Sequence, residues 1–140
     1  MELATATWTD VADRETSLAV LPVGSTEQHG PHAPLGTDAV ASEEIARGGV
    51  EAHGGAVLAP TIPLGIAEEH RAFPGTMWLS PETFRTVVRE AVGSLAAHGF
   101  DRLVVVNGHG GNVDALREIT ATISRHDDAY AVAFTWFENV

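Results

Sequence analysis

Carboxylate and imidazole side chains are concentrated in two glycine-rich stretches of this chain, residues 25–38 and 107–112. Each stretch follows an apolar run that is typical of a buried strand. The groups in them that could bind a metal are Glu27, His29, Asp38 and His109. Mixed histidine and carboxylate ligands suit Zn²⁺, Mn²⁺ or Fe²⁺ without separating them, and such ions can activate water for hydrolysis. The pattern therefore indicates a metal-dependent hydrolase.

Asp38 and the turn around His109 each have a plainer interpretation. Asp38 lies where a helix is predicted to begin, so its carboxylate could serve only as a helix cap. The glycine-rich turn could instead present backbone amides to a phosphate. No Lys, Ser or Thr follows this turn as in a phosphate-binding Walker loop, however, so a metal ligand is the favoured role for His109.

Hydrophobic periodicity and turn residues predict a chain that alternates strands and helices. Short apolar runs predict strands at Leu18–Gly24, Ala56–Ile62, Leu103–Val106 and Ala129–Trp136. Helical spacing, caps and terminal glycines predict helices from Asp38 to about His53, from Pro81 to about His98 and from Val113 to about Arg125, with Asn112 as a cap. This order predicts an α/β fold with a mostly parallel sheet, in a single domain spanning residues 1–140.

The two glycine-rich stretches are expected to meet at one edge of this sheet. Ligand sites of open α/β sheets lie outside the carboxyl ends of the strands, and the two stretches follow the first and third predicted strands. Extended backbone would also turn Glu27 and His29 to the same side, with Gln28 opposite. The segment of residues 65–79, which carries no predicted helix or strand, is expected to be functional or mobile.

Charge and composition bear on partners and location. With 8 basic and 19 acidic residues, the formal net charge is −11, which argues against nucleic-acid and anionic membrane surfaces and leaves small molecules or other protein chains as partners. All the basic residues are Arg, and this lysine-free, acidic composition indicates a halophile, with an acidic mesophile protein as the alternative. No membrane span or leader segment is predicted, which favours the cytoplasm.

Four motifs together make the chain resemble the creatininase family of metal-dependent amidohydrolases. They appear in family order and cover most of the chain: Gly24-Ser25-Thr26-Glu27-Gln28-His29-Gly30-Pro31-His32, Pro34-Leu35-Gly36-Thr37-Asp38, Glu69-His70 with Phe73-Pro74-Gly75-Thr76, and Asn107-Gly108-His109-Gly110-Gly111-Asn112. The resemblance implies a three-layer α/β/α fold and hydrolysis of a non-peptide C–N bond (amide, cyclic amide or formamide) by a hydroxide that bridges two metals. It also implies homo-oligomers, often hexamers.

Carried over by motif, the resemblance implies two divalent metal ions, with Zn, Mn and Fe all open. Glu27, Asp38 and His109 would bind the first ion. His29 and the same Asp38 would bind the second. Asp38 is therefore expected to be the ligand shared by both ions.

Three further residues lie in the family motifs without an assigned role: His32, Glu69 and His70. His32 could be a hydrogen-bond partner of a metal ligand or a packed loop histidine. His70 could touch the substrate, which is the slightly favoured role, or hold its long loop in place.

One position departs from creatinine hydrolases, because Gly111 stands where the resemblance implies a glutamate that completes the second metal site. Branches with a Gly-Gly pair take this carboxylate from a C-terminal His-Ala-Gly-Glu motif, which the 140 residues lack. The chain is therefore expected to be the N-terminal part of a longer enzyme, without the C-terminal part of the family fold. One alternative is a naturally short chain that takes the missing ligand from elsewhere. The source would be either a neighbouring subunit or an internal residue such as Glu69 or Glu138. The other alternative is a non-catalytic protein of the same fold that binds one metal or acts in assembly.

The Gly-Gly pair also bears on the substrate. The resemblance favours a formamide-hydrolysing branch that acts on a pyrimidine nucleotide on the route to flavin and deazaflavin cofactors. A branch that trims a peptide during cofactor maturation is an alternative, and creatinine is the less favoured substrate. A small-molecule substrate is therefore expected.

Overall fold

A computed structural model describes residues 1–138 of the chain. In that part, four α-helices alternate with four β-strands, and three short 3₁₀ turns are present at Glu68–His70, Gly110–Asn112 and Trp136–Glu138. The helices are α1 (Trp8–Ala12), α2 (Thr37–His53), α3 (Pro81–Ala97) and α4 (Val113–His126). The strands are β1 (Leu18–Val23), β2 (Val57–Leu58), β3 (Arg102–Asn107) and β4 (Tyr130–Thr135).

The strands form a sheet in the order β2-β1-β3-β4, and every neighbouring pair is parallel. β1 and β3 lie in the centre, with Val23 at the end of β1 opposite Asn107 at the end of β3. The central strands are mostly buried, as expected for a parallel sheet covered on both faces. The predicted α/β fold with a mostly parallel sheet is confirmed.

Helices cover the sheet on both faces and give three layers. One core lies under α3 and α4, whose Phe84 and Leu116 pack against inward-facing side chains of β1 and β3. The second core lies under α2, whose Ala46 and Val50 pack against the opposite face. Successive residues of β1 alternate between the two cores, which is the period-two pattern of a strand. This is the α/β/α arrangement that the resemblance implied.

Caps in the sequence account for the starts of two helices. α3 begins after Ser80, whose hydroxyl accepts a hydrogen bond from the Thr83 N–H, and Pro81 occupies its first position. The short helix α1 was not predicted. Its signal is a capping box, in which the Thr7 side chain accepts from the Asp10 N–H and the Asp10 carboxylate accepts from the Thr7 N–H.

β2 is shorter than the predicted strand. It spans Val57–Leu58 rather than residues 56–62, because Pro60 has no N–H to donate and interrupts the ladder. The chain returns to the sheet at Ile62, which forms an isolated parallel bridge to Val23. The prediction therefore had the right position and the wrong length.

The α2 side of the sheet is only partly covered. Tyr130, Val132 and Phe134 project from the edge strand β4 and are 63%, 38% and 39% exposed. Phe134 and the exposed Ile45 of α2 line the same apolar depression. These four residues are called the β4 face below. None of the described helices has the length and apolar character needed to cross a bilayer.

Candidate metal centre

The two glycine-rich stretches meet at the carboxyl edge of the sheet. Residues 24–36 leave the end of β1, and residues 108–112 leave the end of the neighbouring strand β3. Asp38 lies in the first turn of α2, directly after the first of these loops. The structure thereby brings the side chains of Glu27, His29, Asp38 and His109 into one cluster.

Asp38 is the centre of this cluster. Its Oδ1 lies 2.9 Å from Nε2 of His29, and its Oδ2 lies 2.9 Å from Nδ1 of His109. The alternative role of a helix cap is not seen, since Gly36 occupies the N-cap position of α2 and no side chain caps that end. One carboxylate thus places one oxygen against each of two histidines, which is the arrangement expected of a ligand shared by two ions.

Glu27 completes a buried group of three candidate ligands. Its Oε1 lies 3.3 Å from Nδ1 of His109, and its Oε2 accepts a 3.2 Å hydrogen bond from the buried hydroxyl of Ser25. One ligand atom from each of Glu27, Asp38 and His109 lies within 4.8 Å of the others. This spacing allows the three side chains to bind a single ion.

Backbone carbonyls fix which nitrogen of each histidine faces the cluster. Nε2 of His109 lies 2.8 Å from the carbonyl oxygen of Ile66, and Nδ1 of His29 lies 3.0 Å from that of Glu27. A carbonyl can only accept, so these two nitrogens carry the protons. In the neutral rings, Nδ1 of His109 and Nε2 of His29 therefore direct lone pairs at Asp38. A lone pair facing a carboxylate is stable only with a proton or a cation between them, so the residues fit a divalent metal ion.

The electrostatics of the cluster favour positive charge. Burial by itself lowers the pKa of His109, but its hydrogen bonds to Asp38 and to the Ile66 carbonyl, together with the charges of Glu27 and Asp38, raise that pKa above its ordinary value. Burial likewise lowers the pKa of His29, and the hydrogen bonds to Glu27 and Asp38 with the same two charges outweigh it and raise the pKa. The protonated, positively charged forms of His29 and His109 are therefore stabilised in this cluster.

Two glycines of the second stretch allow the close approach of neighbouring backbone. A Cβ at Gly108 would lie 2.2 Å from the carbonyl oxygen of Asp38, and a Cβ at Gly111 would lie 2.2 Å from the carbonyl oxygen of Ile66 and 2.6 Å from Nε2 of His109. Real side chains do not tolerate such distances. The glycines thus let α2 and the 65–79 segment pack directly against the turn that carries His109.

Two asparagines that were not predicted as site residues hold this turn. Asn107 donates to the carbonyl oxygen of His109 and accepts from the His109 N–H. Asn112 sits at the N-cap position of α4 but makes no cap hydrogen bond, so its predicted capping role is wrong. Its buried amide instead accepts from the Ile66 N–H at 3.0 Å and donates to the Gly24 carbonyl at 3.0 Å, which ties three loops together. The feature of the sequence that indicates these roles is the pair of asparagines that flank the glycines.

The remaining candidates lie around the cluster rather than in it. His32 and Glu69 are exposed. His70 lies closer, with Nε2 at 3.8 Å from Oε1 of Glu27. Glu138, one suggested source of the missing ligand, pairs with Arg117 of α4 at 3.0 Å. Of these four residues, only His70 therefore approaches a candidate ligand.

Comparison with known proteins gives a consistent family assignment. A family model described as creatinine amidohydrolase matches residues 4–140. The mycofactocin precursor peptide peptidase of Mycobacterium ulcerans is 44% identical over an alignment of 124 residues, gaps included, that covers 83% of this chain and 49% of that protein. The creatinine amidohydrolase of Pseudomonas putida is 32% identical over an alignment of 111 residues that covers 74% of this chain and 42% of that protein. The chain thus spans about half the length of the curated relatives it matches.

Solved structures agree with this assignment. A mutant creatininase superposes with a TM-score of 0.87 and 26% identity. A creatininase described as a manganese form superposes with a TM-score of 0.83 and the same identity. Each match covers 98% of this chain and 58% of the solved one.

Proposed function

The chain belongs to the creatininase family, and from this premise we propose that it takes part in metal-dependent hydrolysis of an amide-type C–N bond. The observation that carries the proposal is the position of Asp38, whose two oxygens lie 2.9 Å from two histidines oriented by backbone carbonyls. Glu27 adds a second carboxylate beside His109. This set of donors is one that a hydrolytic metal site requires.

The residues that would hold the first ion are Glu27, Asp38 and His109, through Nδ1 of the histidine. A divalent ion held by these residues would supply Lewis-acid chemistry, namely polarisation of a carbonyl group and a lowered pKa of bound water. The protein's own part is to hold the ligands in place before the ion arrives: the Ile66 carbonyl orients His109, and Ser25 orients Glu27. Zn²⁺ and Mn²⁺ both suit this mixture of donors.

A second ion would use His29 and the other oxygen of Asp38. These are two ligands, and neither Glu69, which is exposed, nor Glu138, which pairs with Arg117, adds a third. We therefore propose that the second position takes a further ligand from outside the described residues. The metal content of the purified 140-residue chain, measured on its monomeric fraction so that no neighbouring subunit can supply a ligand, tests this: one tightly bound ion per chain supports it, and two contradict it.

The bond that is hydrolysed has two candidates. The Gly-Gly pair of residues 110 and 111 supports a formamide or other non-peptide amide. A peptide bond is the second candidate, because the relative with 44% identity is named a peptide peptidase, whereas the creatinine amidohydrolase shares 32%. Both bonds are amides and place the same demand on the metal site.

A substrate panel separates these candidates. Creatinine, a formylaminopyrimidine nucleotide and a short peptide would each be incubated with the Mn²⁺-loaded and Zn²⁺-loaded chain, with the chelator-treated chain as the control. Metal-dependent turnover of the nucleotide supports the formamide bond, turnover of the peptide alone supports the peptidase, and turnover of creatinine alone contradicts both.

A non-catalytic role for the same fold is the alternative function. A protein that only binds metal or acts in assembly would retain metal at the cluster and hydrolyse none of the three substrates. Metal binding without turnover by the chain, and no gain in turnover when the part of a longer relative that lies beyond the alignment is added in trans, would support this alternative over the enzymatic proposal.

We also propose that the chain forms homo-oligomers. What supports this is the β4 face, where Ile45, Tyr130, Val132 and Phe134 expose apolar surface on and beside β4, the last strand in the order of the described sheet. Light scattering at several protein concentrations measures the molar mass. A mass of 14.8 kDa at all concentrations would contradict the proposal.

A further inference from the structure

Gln28 connects the loop of the candidate metal centre to the 65–79 segment. Its side-chain Oε1 accepts a 2.9 Å hydrogen bond from the backbone N–H of Gly30. A backbone N–H can only donate, so this contact fixes which end of the Gln28 amide is the oxygen. The NH₂ group is then the end that lies 3.0 Å from Nδ1 of His70. Gln28 therefore does not simply point away from the cluster, as strand alternation suggested.

The Gln28 contact determines the tautomer of His70. An NH₂ group can only donate, so Nδ1 of His70 accepts and the neutral ring carries its proton on Nε2. That nitrogen lies 3.8 Å from Oε1 of Glu27. The side chain of Glu27 is 8% exposed and that of His70 is 29% exposed, so water has limited access to the space between them.

The oxygen of Glu27 that faces His70 is also the one that faces the candidate metal position. Oε1 lies 3.3 Å from Nδ1 of His109, whereas Oε2 accepts from Ser25. A small closure of the 3.8 Å gap would give the Glu27 carboxylate a donor on each oxygen. Partners of this kind fix the orientation of ligating carboxylates and raise metal affinity.

We propose that His70 is a positioning residue for Glu27: its Nε2–H, held in that tautomer by Gln28, orients the metal-facing carboxylate oxygen. In this role, His70 acts through Glu27 and does not contact the substrate. The inference rests on the proposed metal site, because orientation of Glu27 matters to metal affinity only if Glu27 is a ligand.

The test compares metal affinity among variants of the full 140-residue chain, with Mn²⁺ or Zn²⁺ alone as the probe in a chelator competition. His70→Ala should weaken binding by about 10- to 100-fold, the range typical of partners that orient metal ligands. His70→Gln should recover most of the affinity, because a glutamine amide can place a donor near the position of Nε2. Gln28→Met should weaken binding more in the wild-type background than in the His70→Ala background, because in the latter only its hydrogen bond with Gly30 remains to be lost.

Controls separate positioning from loss of structure. Glu68→Gln changes an exposed residue of the same 3₁₀ turn and should leave both metal affinity and melting temperature unchanged. If the role of His70 is only structural, His70→Ala should lower the melting temperature of the metal-free chain, and His70→Gln should not selectively restore metal affinity.

The outcomes distinguish this inference from the proposal on which it rests. Wild-type chain that binds no metal overturns both. Wild-type chain that binds metal, with His70→Ala of equal affinity, overturns only the role of His70. Equal affinities of His70→Ala and His70→Gln, both weakened, also overturn it.

Discussion

Replacing Gly111 with alanine should damage the fold and the metal centre together. The new Cβ would lie 2.2 Å from the carbonyl oxygen of Ile66 and 2.6 Å from Nε2 of His109. Neither neighbour is a flexible chain end, since one is backbone and the other is a buried ring. Relief therefore requires the Ile66 carbonyl to move away or the His109 ring to turn, and either movement breaks the hydrogen bond between them.

The loss of stability in Gly111→Ala has two contributions, the overpacking and the broken hydrogen bond. Overpacking of this kind costs about 1–3 kcal/mol, and the lost hydrogen bond adds about 1 kcal/mol, for a destabilisation of about 2–4 kcal/mol. At roughly 3 °C per kcal/mol for a chain of this size, the melting temperature should fall by roughly 6–12 °C. Metal affinity should fall as well, because the Ile66 carbonyl no longer keeps Nδ1 of His109 directed at the cluster.

The neighbouring glycine provides a matched control. A Cβ at Gly110 would meet no atom within 4 Å, and its backbone is not in the left-handed region. Gly110→Ala should therefore leave stability and metal affinity unchanged or slightly raised. Thermal unfolding followed by circular dichroism and a chelator-competition titration measure the two variants side by side. Equal melting temperatures and equal affinities for Gly110→Ala and Gly111→Ala would refute the packing argument.

Three further predictions address the ligands and one surface ion pair. His109→Ala should abolish metal binding; an unchanged metal content and melting temperature would indicate that the glycine turn is structural or binds an anion. Asp38→Ala should reduce hydrolysis more than His29→Ala, because it removes the contact to two histidines, and equal losses in steady-state assays would argue against a shared ligand. Hydrogen bonds from Arg89 hold the pKa of the Asp127 carboxyl below its ordinary value of 3.8. The ion pair therefore stabilises the fold fully at pH values above 3.8. This contribution is lost as the pH falls through the lowered pKa. The melting temperature of Arg89→Ala should therefore lie below that of the wild type near neutral pH and converge with it in strong acid; a constant difference would contradict the assignment.

The sequence predicted the elements that are strongly periodic and the edge of the sheet where the loops meet. A buried strand and a helix start can both be recognised from a few neighbouring residues, as at Leu103–Val106 and at Ser80-Pro81. The predicted length of β2 is too great, because an apolar run does not reveal where a proline such as Pro60 interrupts the hydrogen bonds between strands. Helix α1 is a single short element whose capping box was present in the sequence but has little periodicity around it.

The partners of the cluster could not be predicted, because they join residues far apart in the chain. Nothing local indicates that Asn112 bonds to Ile66 instead of capping α4, or that Gln28 reaches His70. Gly111 shows the same limit. In the sequence, Gly111 indicates only that a carboxylate is absent from this position. The structure reveals a close contact with the Ile66 carbonyl that a side chain here would disrupt.

The central claim is that Glu27, Asp38 and His109 together bind a divalent ion. Crystals of the chain grown with Mn²⁺, with anomalous diffraction data collected for manganese, test this most directly. Manganese bound at this site should give an anomalous peak between Oε1 of Glu27, Oδ2 of Asp38 and Nδ1 of His109. The absence of a peak there at saturating Mn²⁺, or a peak at another position only, would contradict it.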